Sequence, residues 1–224
     1  MSAREAILKR LRTSAPTDLP SLPNVTHWFA THRRTEDSAQ RISRLRSALE
    51  AVQAQVHDTT DAAWPDLLLR LATAKGLRNL LIGTDTPDGT ALQARQVDGL
   101  QLVRYERRID SWRASLFDDI DASLTRAKSA IAETGSLVLW PSASEPRLMS
   151  LVPPVHFVLL DVTTIHADLH AAMQAEGWKD ALPTNALLIC GPSKTADIQQ
   201  TLAYGAHGPR ELVVLLCHPQ GATS

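Results

Sequence analysis

The run Cys190-Gly191-Pro192-Ser193-Lys194-Thr195-Ala196-Asp197-Ile198 carries the densest candidate chemistry of the chain. An apolar stretch from Ala186 to Cys190 enters a Gly-Pro turn, and two hydroxyls and a cation follow. A helix beginning at Thr195 would present unpaired N–H groups and the positive end of its dipole, which suit a carboxylate or phosphate. Gly191, Ser193, Lys194 and Thr195 would then share one anion. The same residues also read as a plain helix cap with Lys194 in solvent, and the pattern leaves both readings open. It is not a P-loop, because the long glycine-rich run ending in Gly-Lys-Ser/Thr is missing. Asp197 falls in the expected first turn, where the dipole favours a negative charge.

Three other places could contribute. Glu133 stands beside a turn glycine between two apolar segments, where a carboxylate can act as base or nucleophile or simply face water. His207 lies in Gly205-Ala206-His207-Gly208-Pro209, a loop whose glycines allow close approach to a ligand or form a tight turn. Arg147 precedes a short apolar turn and could be a second anion contact or a surface arginine. His166 and His170 have i, i+4 spacing on an expected helix, which is metal-ligand spacing. With no third ligand in view, they read as a solvated helix face, and no metal site is assigned.

The elements that must hold these residues follow from periodicity and turn residues. A short basic amphipathic helix covers Met1 to Arg12, and Pro16, Pro20 and Pro23 mark a linker. Helices are expected over Glu36–Gln53, Asp61–Ala74 with Asp61 as N-cap, Ala91–Gln96, Ile165–Glu176 and Thr195–Tyr204 closed by Gly205. A single helical turn is expected at Arg147–Leu151. Strands are expected at Leu80–Ile82, Leu100–Tyr105, Ala130–Ala132, Ser136–Trp140, Val155–Leu160, Ala186–Cys190 and Glu211–Cys217. The pair flanking Glu133-Thr134-Gly135 reads as strands joined by a tight turn. Leu212 to Leu216 is continuously apolar, as in a strand buried on both faces. Alternating helices and strands favour a parallel sheet covered by helices.

Composition narrows the class. The 224 residues carry 23 Lys and Arg against 24 Asp and Glu, and no basic stripe interleaved with aromatics appears, which argues against a nucleic-acid partner. Tyr105-Glu106-Arg107-Arg108 reads as a solvated loop. Cys190 and Cys217 both sit in apolar runs and read as buried free thiols; two cysteines cannot hold an iron–sulfur cluster or zinc by themselves. No secretory signal or transmembrane run is evident, so a cytoplasmic location is expected.

Four blocks occur together and in order: Ile131-Ala132-Glu133-Thr134-Gly135-Ser136-Leu137, Arg147-Leu148-Met149-Ser150-Leu151-Val152-Pro153-Pro154-Val155-His156, Gly191 to Ile198, and Gly205 to Arg210. In these the chain resembles the LUD domain, the family of lactate utilization protein C. The resemblance implies a Rossmann-like three-layer α/β/α sandwich of the sugar-phosphate isomerase and coenzyme A transferase type. It divides the chain into a helix and linker (1–35), the α/β domain (36–219) and a flexible tail (220–224). It also implies a part in bacterial conversion of L-lactate to pyruvate, beside partner proteins that carry the iron–sulfur clusters, with no cofactor in this chain. The expected site is a strand-end crevice for a small carboxylate or phosphate-type anion, formed by Thr134, Gly135, Arg147, Gly191, Ser193, Lys194, Thr195, Asp197 and His207, with Glu133 as the catalytic candidate. Two alternatives stand beside it: an independent acyl-transfer or isomerase-like enzyme using Glu133, and a structural adaptor. The chain departs from the family pattern in having Lys194 where arginine is frequent and Gln199 where glutamate often stands. Lysine cannot make arginine's planar bidentate contact.

Overall fold

The computed structural model describes residues 2–14, 21–95, 99–106, 108–196, 202–205 and 207–219. It holds two compact units, Met1–Arg33 and Arg34–Ser224. The first contains helices α1 (Ala3–Thr13) and α2 (Val25–His32). A capping box between Ser2 and Glu5 starts α1, and Arg10 and Arg12 in its last turn complement the dipole. Neither helix buries a residue.

The second unit continues with α3 (Ser38–Ala51), β1 (Gln55–Thr60), α4 (Trp64–Ala74), β2 (Asn79–Ile82), α5 (Pro87–Gln93), β3 (Gln101–Arg104) and α6 (Arg113–Asp118). Then come β4 (Ala122–Arg126), β5 (Ser129–Ile131), β6 (Ser136–Leu139), β7 (Val155–Asp161), β8 (Ile165–His166), α7 (Leu169–Ala175) and α8 (Trp178–Ala181). The last strands are β9 (Leu187–Ile189), β10 (Lys194–Ala196), β11 (Leu202–Tyr204) and β12 (Glu211–His218). Six strands form one parallel sheet in the order β1-β12-β7-β4-β2-β3.

Alternation along the central strands builds two cores. Phe157 and Leu159 of β7, with Val213 and Leu215 of β12, pack under Trp64 and Leu68 of α4 and Leu92 of α5. Val158 and Leu160, with Val214 and Leu216, face Leu45 and Leu49 of α3 and Ala130, Leu137 and Leu139 of a second sheet. That sheet has the order β8-β5-β6-β9. The result is the expected sandwich, with a small sheet set into one of its outer layers.

Several elements differ from the sequence reading. The two ends of the helix expected over 195–204 are strands: β10 pairs antiparallel with β11, Thr195 opposite Ala203, and residues 197–201 lie outside the described residues. Thr195 and Tyr204 are residue types that favour strands, and Gly205, at φ +78°, follows a strand rather than closing a helix. The expected helix over 165–176 splits, because Ile165 and His166 pair with Ala130 and Ile131 of β5 and Asp168 caps a shorter α7 through a 2.7 Å bond from the Ala171 N–H. Asp61 does not cap α4, whose N-cap is Ala63. β1, β4, α2, α6 and α8 have no counterpart in the periodicity reading. Cys217 is buried, whereas Cys190 is exposed just beyond β9.

Candidate functional site

The Glu133–Gly135 turn joins β5 to β6 and is strapped to the chain after β8 by the Glu133 N–H, which donates to the Ala167 carbonyl at 3.1 Å. Gly135 has φ +65°, and a Cβ there would lie 2.7 Å from Ala48 Cβ. A Cβ on Gly191 would lie 2.7 Å from Val52 Cγ2. Ala48 and Val52 are one turn apart at the end of α3. Both glycines therefore make room for that helix. The two turns are also linked to each other. Thr134 Oγ1 lies 2.6 Å from Ser136 Oγ, which lies 3.0 Å from Cys190 Sγ. The chain of groups runs from the exposed Thr134 through the buried Ser136 to the exposed thiol.

Glu133 itself is half exposed. Its Oε1 lies 4.0 Å from Nη2 of Arg44, which holds Glu36 through Nη1 at 2.9 and 3.1 Å. Arg44 is thus shared by two carboxylates. Arg44, Glu36 and Ser136 were not singled out in the sequence; the first two come from α3 and its approach, far from the motif in the chain.

With β10 in place of a helix, Thr195 has no helix N-terminus to offer an anion. Ser193 is fixed by its backbone: its N–H donates to the Pro209 carbonyl at 2.8 Å and its carbonyl accepts from the Gly205 N–H at 2.9 Å. A Cβ on Gly208 would lie 3.2 Å from Ser193 Cβ and 3.5 Å from the Leu151 carbonyl oxygen. The His207 loop, the Ser193 turn and the end of the Arg147–Ser150 3₁₀ turn therefore meet. Arg147, Lys194 and His207 are exposed and Thr195 is partly buried. Asp197 lies outside the described residues. His166 and His170 sit on β8 and α7 rather than on one helix. Among the described residues no group of three His, Cys, Asp or Glu side chains is placed to hold a metal.

A second polar cluster lies at the carboxyl ends of β2 and β4. There the chain leaves β2 for α5 on one face and leaves β4 for β5 on the other, the kind of crevice in which open α/β sheets seat ligands. Arg126, at the end of β4, holds the buried Asp88 of α5 with both Nε (2.8 Å) and Nη2. Glu145 accepts from the Arg126 N–H at 3.3 Å, and burial pushes its carboxyl up to about 7, with Asp88 adding to the rise. The loop bearing Glu145 closes on Gly83, where a Cβ would lie 2.8 Å from the Ser144 carbonyl oxygen. Next to Arg126 in β4, Thr125 places its Oγ1 2.8 Å from the fully buried His156, whose imidazole burial holds at about 3, hence neutral. No local motif marks this cluster, since Asp88 and Arg126 are 38 positions apart.

The profile of the LUD domain matches residues 42–217. The chain belongs to the LUD domain family. An uncharacterized protein, NMB1437 of Neisseria meningitidis serogroup B, is 40% identical over 98% of this chain and 95% of its own length. The lactate utilization protein C of Anoxybacillus flavithermus is 24% identical over 92% of this chain and 94% of its own. Escherichia coli YkgG, an uncharacterized protein, is 25% identical over 84% of each. The crystal structure of a DUF162 family protein from Deinococcus radiodurans superposes with a TM-score of 0.59 over 82% of this chain and 99% of that one. At 19% identity it bears on the fold alone. The LUD profile takes in both polar clusters apart from Glu36 and begins within α3, the helix on which the two glycine turns rest.

Proposed function

We propose that this LUD domain protein is a component, without a redox centre of its own, of a bacterial L-lactate utilization system. It acts with iron–sulfur partner proteins in the oxidation of L-lactate to pyruvate. It binds a small carboxylate or phosphate-type anion where the Glu133, Gly191 and His207 segments adjoin. The observation that carries this reading is the link from Thr134 through Ser136 to Cys190, which ties two separate motifs of the family into one surface. Relatives named lactate utilization protein C point to the pathway. The exposed Arg147, Lys194 and His207 supply cationic or donor groups, and the Thr134 hydroxyl supplies a neutral donor. Glu133, half exposed and facing Arg44, is suited to orienting that arginine.

The test joins binding to growth. A ligand held by the native state raises its melting temperature, so L-lactate, pyruvate or phosphate at tens of millimolar is expected to give a rise that Thr134→Val with Ser136→Ala removes. A strain lacking the gene is expected to lose growth on L-lactate and to regain it with the wild-type chain. Growth on L-lactate unaffected by the deletion overturns the pathway assignment. Normal growth without any thermal shift overturns the anion site and leaves the adaptor reading. Glu133→Gln separates the enzyme reading, which requires that growth be lost while the fold is kept.

A further inference from the structure

We propose that the outer face of the second sheet joins two copies of this chain across a two-fold axis, with β9 of one pairing antiparallel with β9 of the other. Among the described residues of the second unit, the exposed large apolar side chains are Phe117, Leu151, Leu169, Met173, Leu182 and Leu188. Four of these six fall on α7, on the chain just after α8, and on β9. Met173 and Leu182 line one groove, and Leu169 lies one helical turn before Met173 on α7. Register sets Leu188 opposite Val138, and Val138 packs with Ala172 of α7 and Trp178 of α8. Leu188 therefore lies at the margin of the α7–α8 layer. A groove of about 600 Å³ there is lined by Met173, Trp178, Lys179, Asp180 and Leu182.

A second copy fits this surface better than an unrelated protein for two reasons. β9 is the last strand of its sheet, and an edge strand offers a row of backbone donors and acceptors to another chain. Identical edges meeting antiparallel across a two-fold axis are self-complementary, as a two-fold contact must be. Lys179 and Asp180 stand side by side at the groove, so the same rotation can set each lysine against the other copy's aspartate. The paired strands would form one eight-stranded sheet and cover Leu182 and Leu188. They would also bring the two Cys190 sites, one residue beyond β9, to either side of the axis.

Light scattering on the full chain at about 100 μM is expected to give twice the 24.5 kDa of one chain. Leu188→Arg and Met173→Asp are each expected to raise the dissociation constant at least tenfold, with circular dichroism unchanged. Lys179→Asp is expected to weaken the dimer, and adding Asp180→Lys to restore it; this charge pair decides the matter if Leu188→Arg or Met173→Asp fails to fold. Trp28→Ala, in the first unit, is expected to change nothing. A monomeric wild type, a dimer that survives Leu188→Arg, or a dimer lost in Trp28→Ala each overturns the proposal.

Discussion

Glu145 holds its carboxyl in a closed loop against Gly83, where burial favours the neutral form. Its pKa rises from the ordinary 4.5 to about 7. Between those values the folded protein binds the extra proton, so stability falls as pH rises from about 4.5 to 7 and is level beyond. The full effect is at most about 3 kcal/mol, at 1.36 kcal/mol per unit. Glu145→Gln keeps an acceptor for the Arg126 N–H and removes the ionisation. Its urea midpoint is expected to be higher than wild type at pH 8 and to lose most of the slope between pH 5 and 7. Two glycines make a second contrast at this scale. Gly76 and Gly135 both have φ +65°, but a Cβ on Gly76 meets nothing within 4 Å. Gly76→Ala is expected to cost about 1 kcal/mol, from the backbone alone. Gly135→Ala, driven into α3, is expected to cost roughly 2–4 kcal/mol in denaturant titrations.

At the scale of elements, α3 sets the geometry of the first cluster. It supplies Arg44 to Glu133, Ala48 to the Gly135 turn and, at its C-cap, Val52 to Gly191. Its start is fixed by a capping box in which Asp37 and Gln40 bond each other's N–H at 2.8 and 2.9 Å. Asp37→Ala is expected to lower stability by about 1 kcal/mol in urea titrations and to weaken the anion-induced thermal shift with it. Of the strands buried on both faces, β7 and β12 are legible in the sequence, while β4, Ala122-Ser123-Leu124-Thr125-Arg126, is not, because Ser123 and Thr125 interrupt its apolar run. β12 reads as a continuous apolar run from Leu212 to Leu216, and β7 as one from Phe157 to Leu160, because each has a strand on both sides and a packed layer on both faces. β1 was missed because it is an edge strand, Gln55-Val56-His57-Asp58-Thr59-Thr60, with few apolar residues. Residues 195–196 and 202–204 differ from the helical reading because apolar positions there fit a helical period as well as a strand pair, and only partner strands distinguish the two.

For the whole molecule, the hydrophobic cores belong to the second unit: none of their buried residues precedes Leu45. A chain lacking residues 1–33 is therefore expected to unfold cooperatively, with a melting midpoint within a few degrees of the full chain. The first unit exposes Ile7, Leu11, Leu22, Val25 and Trp28, and an 11-residue helix is short for stability in water. Its five Lys and Arg against two Asp and Glu leave the rest of the chain net acidic. No helix among the described residues is long and apolar enough to cross a membrane.

The sequence by itself determined the layered α/β architecture, because strands such as β12, Leu212 to Leu216, are apolar throughout and alternate with helical periods across glycine and proline turns. It also determined the family, through motifs whose order survives in the chain. What only the tertiary structure decided was the use of those motifs. The Gly191 turn leads into a strand, so no helix dipole awaits an anion there, and the glycine leaves room for Val52 at the C-cap of α3. The pairing of Arg126 with Asp88 and the closure of Glu145 over Gly83 depend on strands that become neighbours only when the sheet assembles. Spacing along the chain carries no record of such contacts, because they are selected by sheet order and not by any local period.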